Sequence, residues 1–123
     1  MTETDFKPIV KAKELMVHSL KLTSNNNRYP KKYRHSLCDR IQNKSFDIYE
    51  RLLEANRTNI NARPLRCEEI TKAIAYCDEL LTYIELSMEL EILNAQSTEY
   101  WSKMVCDVKN LALAWRKTER NKI

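Results

Sequence analysis

The chain of 123 residues contains no glycine, and this absence restricts the fold. Tight β-hairpin turns need residues that adopt a positive φ, glycine above all, so a β-rich fold is disfavoured. Asparagine is the next best residue at such positions, and asparagines cluster at 25–27 and again at 56, 59 and 61. We therefore expect long helices joined by asparagine-containing turns. Glycine-rich phosphate-binding loops are excluded by the composition.

Long hydrophobic runs are absent as well. No apolar stretch reaches the roughly 20 residues that a membrane-spanning helix needs. Residues 1–7 lack the apolar core of a signal peptide, which predicts a cytoplasmic protein without membrane contact. Four cysteines could form a disulfide framework. Because each lies inside a helical pattern, we favour reduced, buried thiols, namely Cys38, Cys67, Cys77 and Cys106.

Histidine is scarce, and this argues against most metal and acid–base sites. His35 and Cys38 are spaced so that both could bind a metal from one helix face, but no second ligand pair matches them. The simpler interpretation is a partly exposed histidine beside a buried thiol. No glutamate is followed three residues later by a histidine, as di-iron bundles require. We expect no enzyme activity, no metal and no cofactor.

Four segments show helical periodicity, at about 7–24, 31–56, 64–93 and 95–118. Thr4 or Asp5 is a candidate cap of the first helix, and Asn94 or Ser97 of the fourth. The predicted core stripes are Ile9, Ala12, Met16 and Leu20; Leu37, Ile41, Ile48 and Leu52; Cys67, Ile70, Ile74, Cys77, Leu81, Ile84 and Met88; and Trp101, Met104, Val108, Leu111 and Trp115. Short connections between such helices predict one all-α domain over 1–123, an antiparallel up-down-up-down four-helix bundle.

The third helix carries more apolar residues than one core stripe needs. A helix with a single buried face usually shows an apolar stripe about 100° wide, and here the arc is nearer half the circumference. We expect a second contact surface, used for self-association. Its predicted members are Tyr76, Leu80, Tyr83 and Leu90, with Phe46 and Leu53 of the second helix.

Charge is unevenly distributed along the chain. The segment from Arg28 to Arg66 contains ten Lys/Arg and four Asp/Glu. The segment from Cys67 to Glu99 contains one Lys/Arg and eight Asp/Glu. Clustered cations bind phosphates in a salt-dependent, sequence-tolerant way. The candidate nucleic-acid-binding residues are Lys31, Lys32, Arg40, Lys44, Arg51, Arg57, Arg63 and Arg66. The alternative is a solvated face paired with Asp47, Glu50 and Glu54.

Arg34 differs from these cations in its position on the second helix. It lies along the predicted core stripe, which predicts a buried or interfacial ion pair.

The segment Arg28–Leu37, followed by Ile41, resembles the start of helix two in a family of small four-helix-bundle proteins. The pattern at that position is aromatic-Pro-Lys-x-x-Arg-x-x-Leu…Ile. The family comprises the proteins encoded in intervening sequences of bacterial 23S ribosomal RNA genes and the accessory variability determinants of diversity-generating retroelements. The segments 78–86 and 111–117 are similar to later helices of the accessory branch, although Ala and Leu stand where glycines usually precede the tryptophan.

The resemblance spans nearly the whole chain and implies a function. It implies a homopentameric accessory protein with a basic surface that binds RNA or DNA and a reverse transcriptase, supporting mutagenic copying of a template RNA. It carries no catalytic residues. The other branch has no clear biochemical role, which leaves a bundle that binds only protein as the alternative.

Overall fold

The computed structural model describes Glu3 and residues 5–123, and the regular secondary structure of these residues is all helical. Four long helices follow one another: α1 (Lys7–Thr23), α2 (Asp39–Arg57), α3 (Arg63–Glu89) and α4 (Ala95–Arg120). The described residues contain no strand, and the helices pack as a four-helix bundle. The predicted fold class is confirmed at this level.

Contacts between successive helices follow a regular order. Gln42 and Arg57 of α2 bond Thr23 and Glu3 at the two ends of the α1 segment. The end of α1 therefore contacts the start of α2, and the start of the α1 segment contacts the end of α2. The same order relates α3 to α4, where Asp78 meets Lys109 and Thr71 meets Arg116.

The core contains a continuous cluster of apolar side chains from all four helices. Its largest fully buried members are Trp101, Tyr29, Leu15, Ile41, Ile48, Leu52, Ile70, Leu80, Ile84, Val105 and Val108. Burying one such aliphatic or aromatic side chain contributes about 1.5–3 kcal/mol. The predicted α2 stripe of Leu37, Ile41, Ile48 and Leu52 is buried throughout.

The core stripes of α1 and α4 lie one residue away from part of the prediction. Leu15 and Ser19 are buried where Met16 and Leu20 were expected. Val105 and Ala112 likewise replace Met104 and Leu111, which are half-buried. Ser19 is covered because Trp101 lies against it and donates an indole hydrogen bond to its hydroxyl (3.1 Å). Small residues thus lie where a bulky ring from the neighbouring helix needs space.

The stripe of α3 begins as predicted and then drifts. Leu80 and Ser87 are fully buried, whereas Leu81 is half-buried and Met88 is exposed. At the C-terminal end of α3 the buried column therefore lies one position earlier in the sequence than the strict heptad predicted.

The end of α3 also differs from the prediction of a helix to residue 93. α3 ends at Glu89, and Glu91 adopts a left-handed conformation with φ 63°. The amides of Glu91 and Ile92 bond the carbonyls of Met88 and Ser87, as in a Schellman cap. The left-handed residue is therefore a glutamate, not one of the asparagines. Asn94 caps α4 as expected, accepting from the Ser97 amide (2.8 Å), whereas Phe6 stands at the N-cap of α1 and Thr4 lies outside the described residues.

The second helix is irregular where a continuous helix from residue 31 was expected. Lys31–Tyr33 form a 3₁₀ turn and Arg34–Cys38 a π turn before α2 begins. The segment is anchored by Tyr29, which is 1% exposed and donates a hydrogen bond to the Ser87 hydroxyl (2.8 Å). Ser87 in turn donates to the Tyr83 carbonyl. This anchor ties the α1–α2 connection to the C-terminal end of α3.

Candidate nucleic-acid interface

The cations in the middle of α2 lie against acidic residues of α3. Lys44 bonds Glu79 (2.8 Å) and lies 4.5 Å from the centre of the Tyr76 ring. Arg51 bonds Glu69 (2.7 Å). The hydrogen bonds that they donate to these carboxylates raise the pKa of both basic groups. Both side chains are partly buried, so a phosphate would have to compete with an existing carboxylate partner.

At the C-terminal end of α2 and the start of α3, three more predicted cations are paired. Arg57 makes two hydrogen bonds to Glu3 (2.6 and 3.0 Å). Arg63 and Arg66 both meet Glu119, whose side chain also accepts from the Trp115 indole (3.2 Å). Glu119 is only 5% exposed.

These five cations are therefore paired with carboxylates, as in the alternative of a charged face, but their partners differ from the expected ones. The expected acids were Asp47, Glu50 and Glu54 on α2 itself. The observed acids are Glu79, Glu69, Glu3 and Glu119, all from other segments. Pairs on one helix face can be predicted because their residues are three or four positions apart. The observed pairs join different segments, so they depend on how the helices pack.

The remaining predicted cations are exposed. Lys31, Lys32 and Arg40 make no ion pair with any residue in the described part of the chain. Arg40 donates only to the Ser36 carbonyl (3.3 Å), and Lys32 lies 5.2 Å from the Tyr33 ring centre.

Two further cations join them that were not among the candidates. Arg28 is exposed and bonds the neutral Ser97 hydroxyl (3.1 Å). Arg34 is exposed too, without an ion pair among the described residues, so the prediction of a buried ion pair is wrong, whereas an interfacial pair stays a prediction. The π turn explains this, because its extra residue per turn shifts Arg34 out of phase with the α2 core stripe. We call the resulting set the basic cluster: Arg28, Lys31, Lys32, Arg34 and Arg40.

A polar hollow of about 330 Å³ lies within the basic cluster. Lys31 and Arg34 line it, with Ser24, Asn26 and Gln42 from both sides of the connection. Asp39 is its one acidic lining residue among those described. The hollow therefore combines two exposed cationic side chains with neutral hydrogen-bonding groups, which suits a phosphate oxygen.

A row of acidic residues on α3 lies on the side of this helix that faces α4. Asp78 bonds Lys109 of α4 (2.6 Å). Glu85 lies seven residues after Asp78 and Glu89 four residues after Glu85, so both continue this row. The hollow lined by Lys31 and Arg34 lies between α1 and α2 instead.

The alternative of a His35–Cys38 metal pair does not fit the local geometry. The His35 side chain is 87% exposed and lies 3.8 Å from Asp39, whereas Cys38 is buried. Burial raises the pKa of the Cys38 thiol. No group of three or more His, Cys, Asp or Glu in the described part of the chain is arranged to hold a metal.

Three of the four cysteines are buried free thiols, as expected for Cys38, Cys67 and Cys77. Burial raises the pKa of Cys77 to about 12. Cys106 is exposed on α4, so the prediction that it is buried is wrong.

The predicted self-association residues do not form one surface. Leu80 is 0% exposed and belongs to the core of this chain, which corrects its assignment. Tyr76 faces Lys44 between α2 and α3, Tyr83 is half-buried and Leu90 is exposed. Phe46 and Leu53 follow Lys44 and Arg51 by two residues, about 200° round the helix, so they point away from α3.

A more continuous apolar surface lies between α1 and α2. The apolar residues that line a groove of about 560 Å³ are Ile9, Val10, Val17 and Tyr49; its other lining residues are Glu3, Lys13, Glu14, His18 and Lys21. Tyr49 shares one face of α2 with Phe46 and Leu53, by spacings of three and four. Val10 and Val17 are seven residues apart on the flank of the α1 stripe, and this spacing is the sequence signal for the groove.

Comparisons with known proteins do not assign the chain to a family. The sequence matches no protein-family model, and no curated protein matches it significantly. No helix within the described residues is both long and apolar enough to cross a membrane.

Proposed function

We propose that this chain is a non-enzymatic nucleic-acid-binding protein that uses the basic cluster, and that it forms homo-oligomers of antiparallel up-down-up-down bundles. The observation that carries the proposal is the group of five exposed cations, Arg28, Lys31, Lys32, Arg34 and Arg40, without carboxylate partners in the described part of the chain. The order of contacts along neighbouring helices supports the antiparallel arrangement.

The resemblance to the four-helix-bundle family, whose retroelement accessory branch is similar to segments 78–86 and 111–117, adds a biological role. In that role the protein binds RNA or DNA, associates with a reverse transcriptase and assembles as a pentamer. Four of the five basic-cluster residues lie within the segment Arg28–Leu37 that resembles the family, and this overlap supports the role.

Binding through the basic cluster has a defined salt dependence. Neutralising four or five phosphates on duplex DNA gives a slope of about −0.9 per contact in a plot of log affinity against log salt. Raising salt from about 50 to 200 mM should then weaken binding by about 10²–10³-fold.

A mobility-shift titration at these two salt concentrations tests the proposal. The variant Lys31→Ala/Lys32→Ala/Arg40→Ala should lose most of the affinity at low salt and show a shallower salt slope, because three phosphate contacts are removed. The matched control, Lys117→Ala/Arg120→Ala/Lys122→Ala, removes the same charge from exposed positions at the opposite end of the bundle. Equal losses in both variants would mean that net charge, not this cluster, governs binding. Absence of binding by the unmodified protein at low salt would refute the proposal.

A protein-only interaction module is the second candidate function. It is favoured by the five cations that are already paired within the chain and by the apolar α1–α2 groove. In that case the unmodified protein binds no nucleic acid even at low salt, yet it still self-associates.

A further inference from the structure

A second group of exposed aromatic and basic side chains lies on the α1–α4 side of the connection. Tyr100, in the second turn of α4, is 61% exposed, which is unusual for a tyrosine beside the core. Its ring lies 5.4 Å from the His18 ring, centre to centre. His18 in turn lies 5.7 Å from the buried Trp101 ring. The three rings form a supported series from the core to the surface.

Two adjoining hollows flank this aromatic series. One, of about 310 Å³, is lined by Tyr100, Gln96 and Ser97 of α4. The other, of about 230 Å³, is lined by Lys21 and Asn25. Both also include His18, Leu22 and Arg28, and no carboxylate lines either hollow among the described residues.

Few charged side chains lie at these hollows, and those that do are basic. Arg28 is held across the hollow by its bond to Ser97 (3.1 Å), and Lys21 is exposed on the next turn of α1. Burial, assisted by the Arg28 charge, lowers the pKa of His18, which favours the neutral form of its ring. Arg28 and Lys21 are the basic groups that would attract an anion to the hollow they share.

This combination matches the requirements of one unpaired nucleotide. A nucleobase stacks on an exposed aromatic face, a guanidinium binds the phosphate beside it, and neutral amides reach the base edge. A base in a duplex is covered by its neighbours and cannot lie flat on Tyr100.

We propose that Tyr100, His18 and Arg28 form a stacking subsite for an unpaired base of single-stranded RNA or DNA. The inference rests on the proposed nucleic-acid binding and extends it by naming single strands as the preferred form. Arg28 belongs both to this subsite and to the basic cluster, so a strand can pass from one to the other round the α1–α2 connection.

Three fluorescent probes of about 15 nucleotides separate the contributions. They are a single strand of oligo-dT, the same strand with abasic sites in place of the bases, and a duplex of equal length. The abasic strand keeps the phosphates and removes the stacking partner. Fluorescence anisotropy at low salt reports each affinity.

Tyr100→Ala should weaken binding of the single strand about 5- to 150-fold, the range of stacking contributions per base. It should leave binding of the abasic strand and of the duplex unchanged. Tyr100→Phe keeps the ring and should restore single-strand binding. Arg28→Ala should weaken both the intact and the abasic strand, because it removes a phosphate contact.

The outcomes distinguish this inference from the proposed function. If the protein binds all three probes and Tyr100→Ala changes none of the affinities, the stacking subsite is refuted while electrostatic binding stands. If Tyr100→Ala weakens the intact and abasic strands equally, its ring does not stack on a base. If the unmodified protein binds no probe, both proposals fail. Because Tyr100 is exposed, its replacement should leave the fold intact, and circular dichroism checks this.

Discussion

A few buried polar side chains connect different helices of this bundle. Glu119 is the clearest case, because Arg63, Arg66 and the Trp115 indole all converge on it. The Arg66 guanidinium also lies 5.7 Å from the Trp115 ring centre, and Phe6 packs edge-on against the same ring (4.7 Å). This cluster joins the start of α1, the start of α3 and the end of α4.

Replacing Glu119 should destabilise the protein strongly. Glu119→Ala leaves two partly buried guanidinium groups without a counter-ion, a change that typically costs about 3–5 kcal/mol. Urea unfolding followed by circular dichroism measures the loss. The control Glu99→Ala removes an exposed carboxylate and should change stability by less than about 0.5 kcal/mol. A Glu119→Ala variant as stable as this control would show that the cluster contributes nothing net.

Tyr29 and Cys77 should make the fold sensitive to alkaline pH. Burial is the main cause that raises the pKa of each to about 12, from ordinary values of 10.0 and 9.0. Between about pH 9 and 12 the unfolded chain releases these protons while the folded chain retains them. Stability is therefore unaffected by them below pH 9 and decreases as pH rises through this window.

The variant Tyr29→Phe isolates one of the two groups. At neutral pH it should cost about 1 kcal/mol, because the hydrogen bond to Ser87 is lost. Above pH 10 its stability should fall less steeply than that of the unmodified protein. Urea midpoints measured from pH 7 to 11 check both effects, and parallel pH profiles would contradict the assignment to Tyr29.

At the scale of helices and connections, a chain without glycine must place other residues at demanding backbone positions. The α3 cap does so with Glu91 at φ 63°, where a side chain with a Cβ is strained. The α1–α2 connection uses another device, the 3₁₀ and π turns anchored by Tyr29. The second device has a consequence for binding, since it rotates Arg34 into the basic cluster.

Glu91→Gly should stabilise the protein by about 0.5–1 kcal/mol. Glycine adopts the left-handed conformation without steric cost, and this gain exceeds the extra entropy it has when unfolded. Glu85→Gly is the matched control on the exposed face of α3 and should cost about 1 kcal/mol. Thermal unfolding of the two variants decides the sign; destabilisation by Glu91→Gly comparable to the control would contradict the strain assigned to this cap.

For the whole molecule, the distribution of exposed apolar surface bears on self-association. Phe46 is 38% exposed and precedes by three residues Tyr49, which lines the α1–α2 groove. Leu90 is exposed at the end of α3, far along the bundle from Leu53. One face between copies of the chain can therefore use the groove residues or Leu90, but not the full predicted set.

We expect the groove to be the face used between copies. Val17→Lys/Phe46→Lys should shift the protein toward monomer in sedimentation velocity, because two charges would be buried against an apolar partner. Leu65→Lys, which charges another exposed apolar position, should leave the assembly intact. If Leu90→Lys dissociates the assembly and the groove variant does not, the contact lies at the end of α3.

Much of the architecture follows from the sequence alone, because helical periodicity is local. Four helices, their approximate bounds and the α2 core stripe are legible from residues three and four positions apart. The lack of glycine in the turns and the asparagine cap of α4 are also local features. Each of these features depends on a residue's own helix.

Only the tertiary structure decided which cations are available. Lys44 and Glu79 are 35 positions apart, and their ion pair depends on how α2 lies against α3. The same holds for Glu119 with Arg63, for Leu80 between two neighbouring helices, and for His18 beside Tyr100. A local pattern reports which side of a helix is apolar, but the partner across an interface is set by packing. For this reason the sequence predicted a basic region, and the structure restricted it to the segment 28–40.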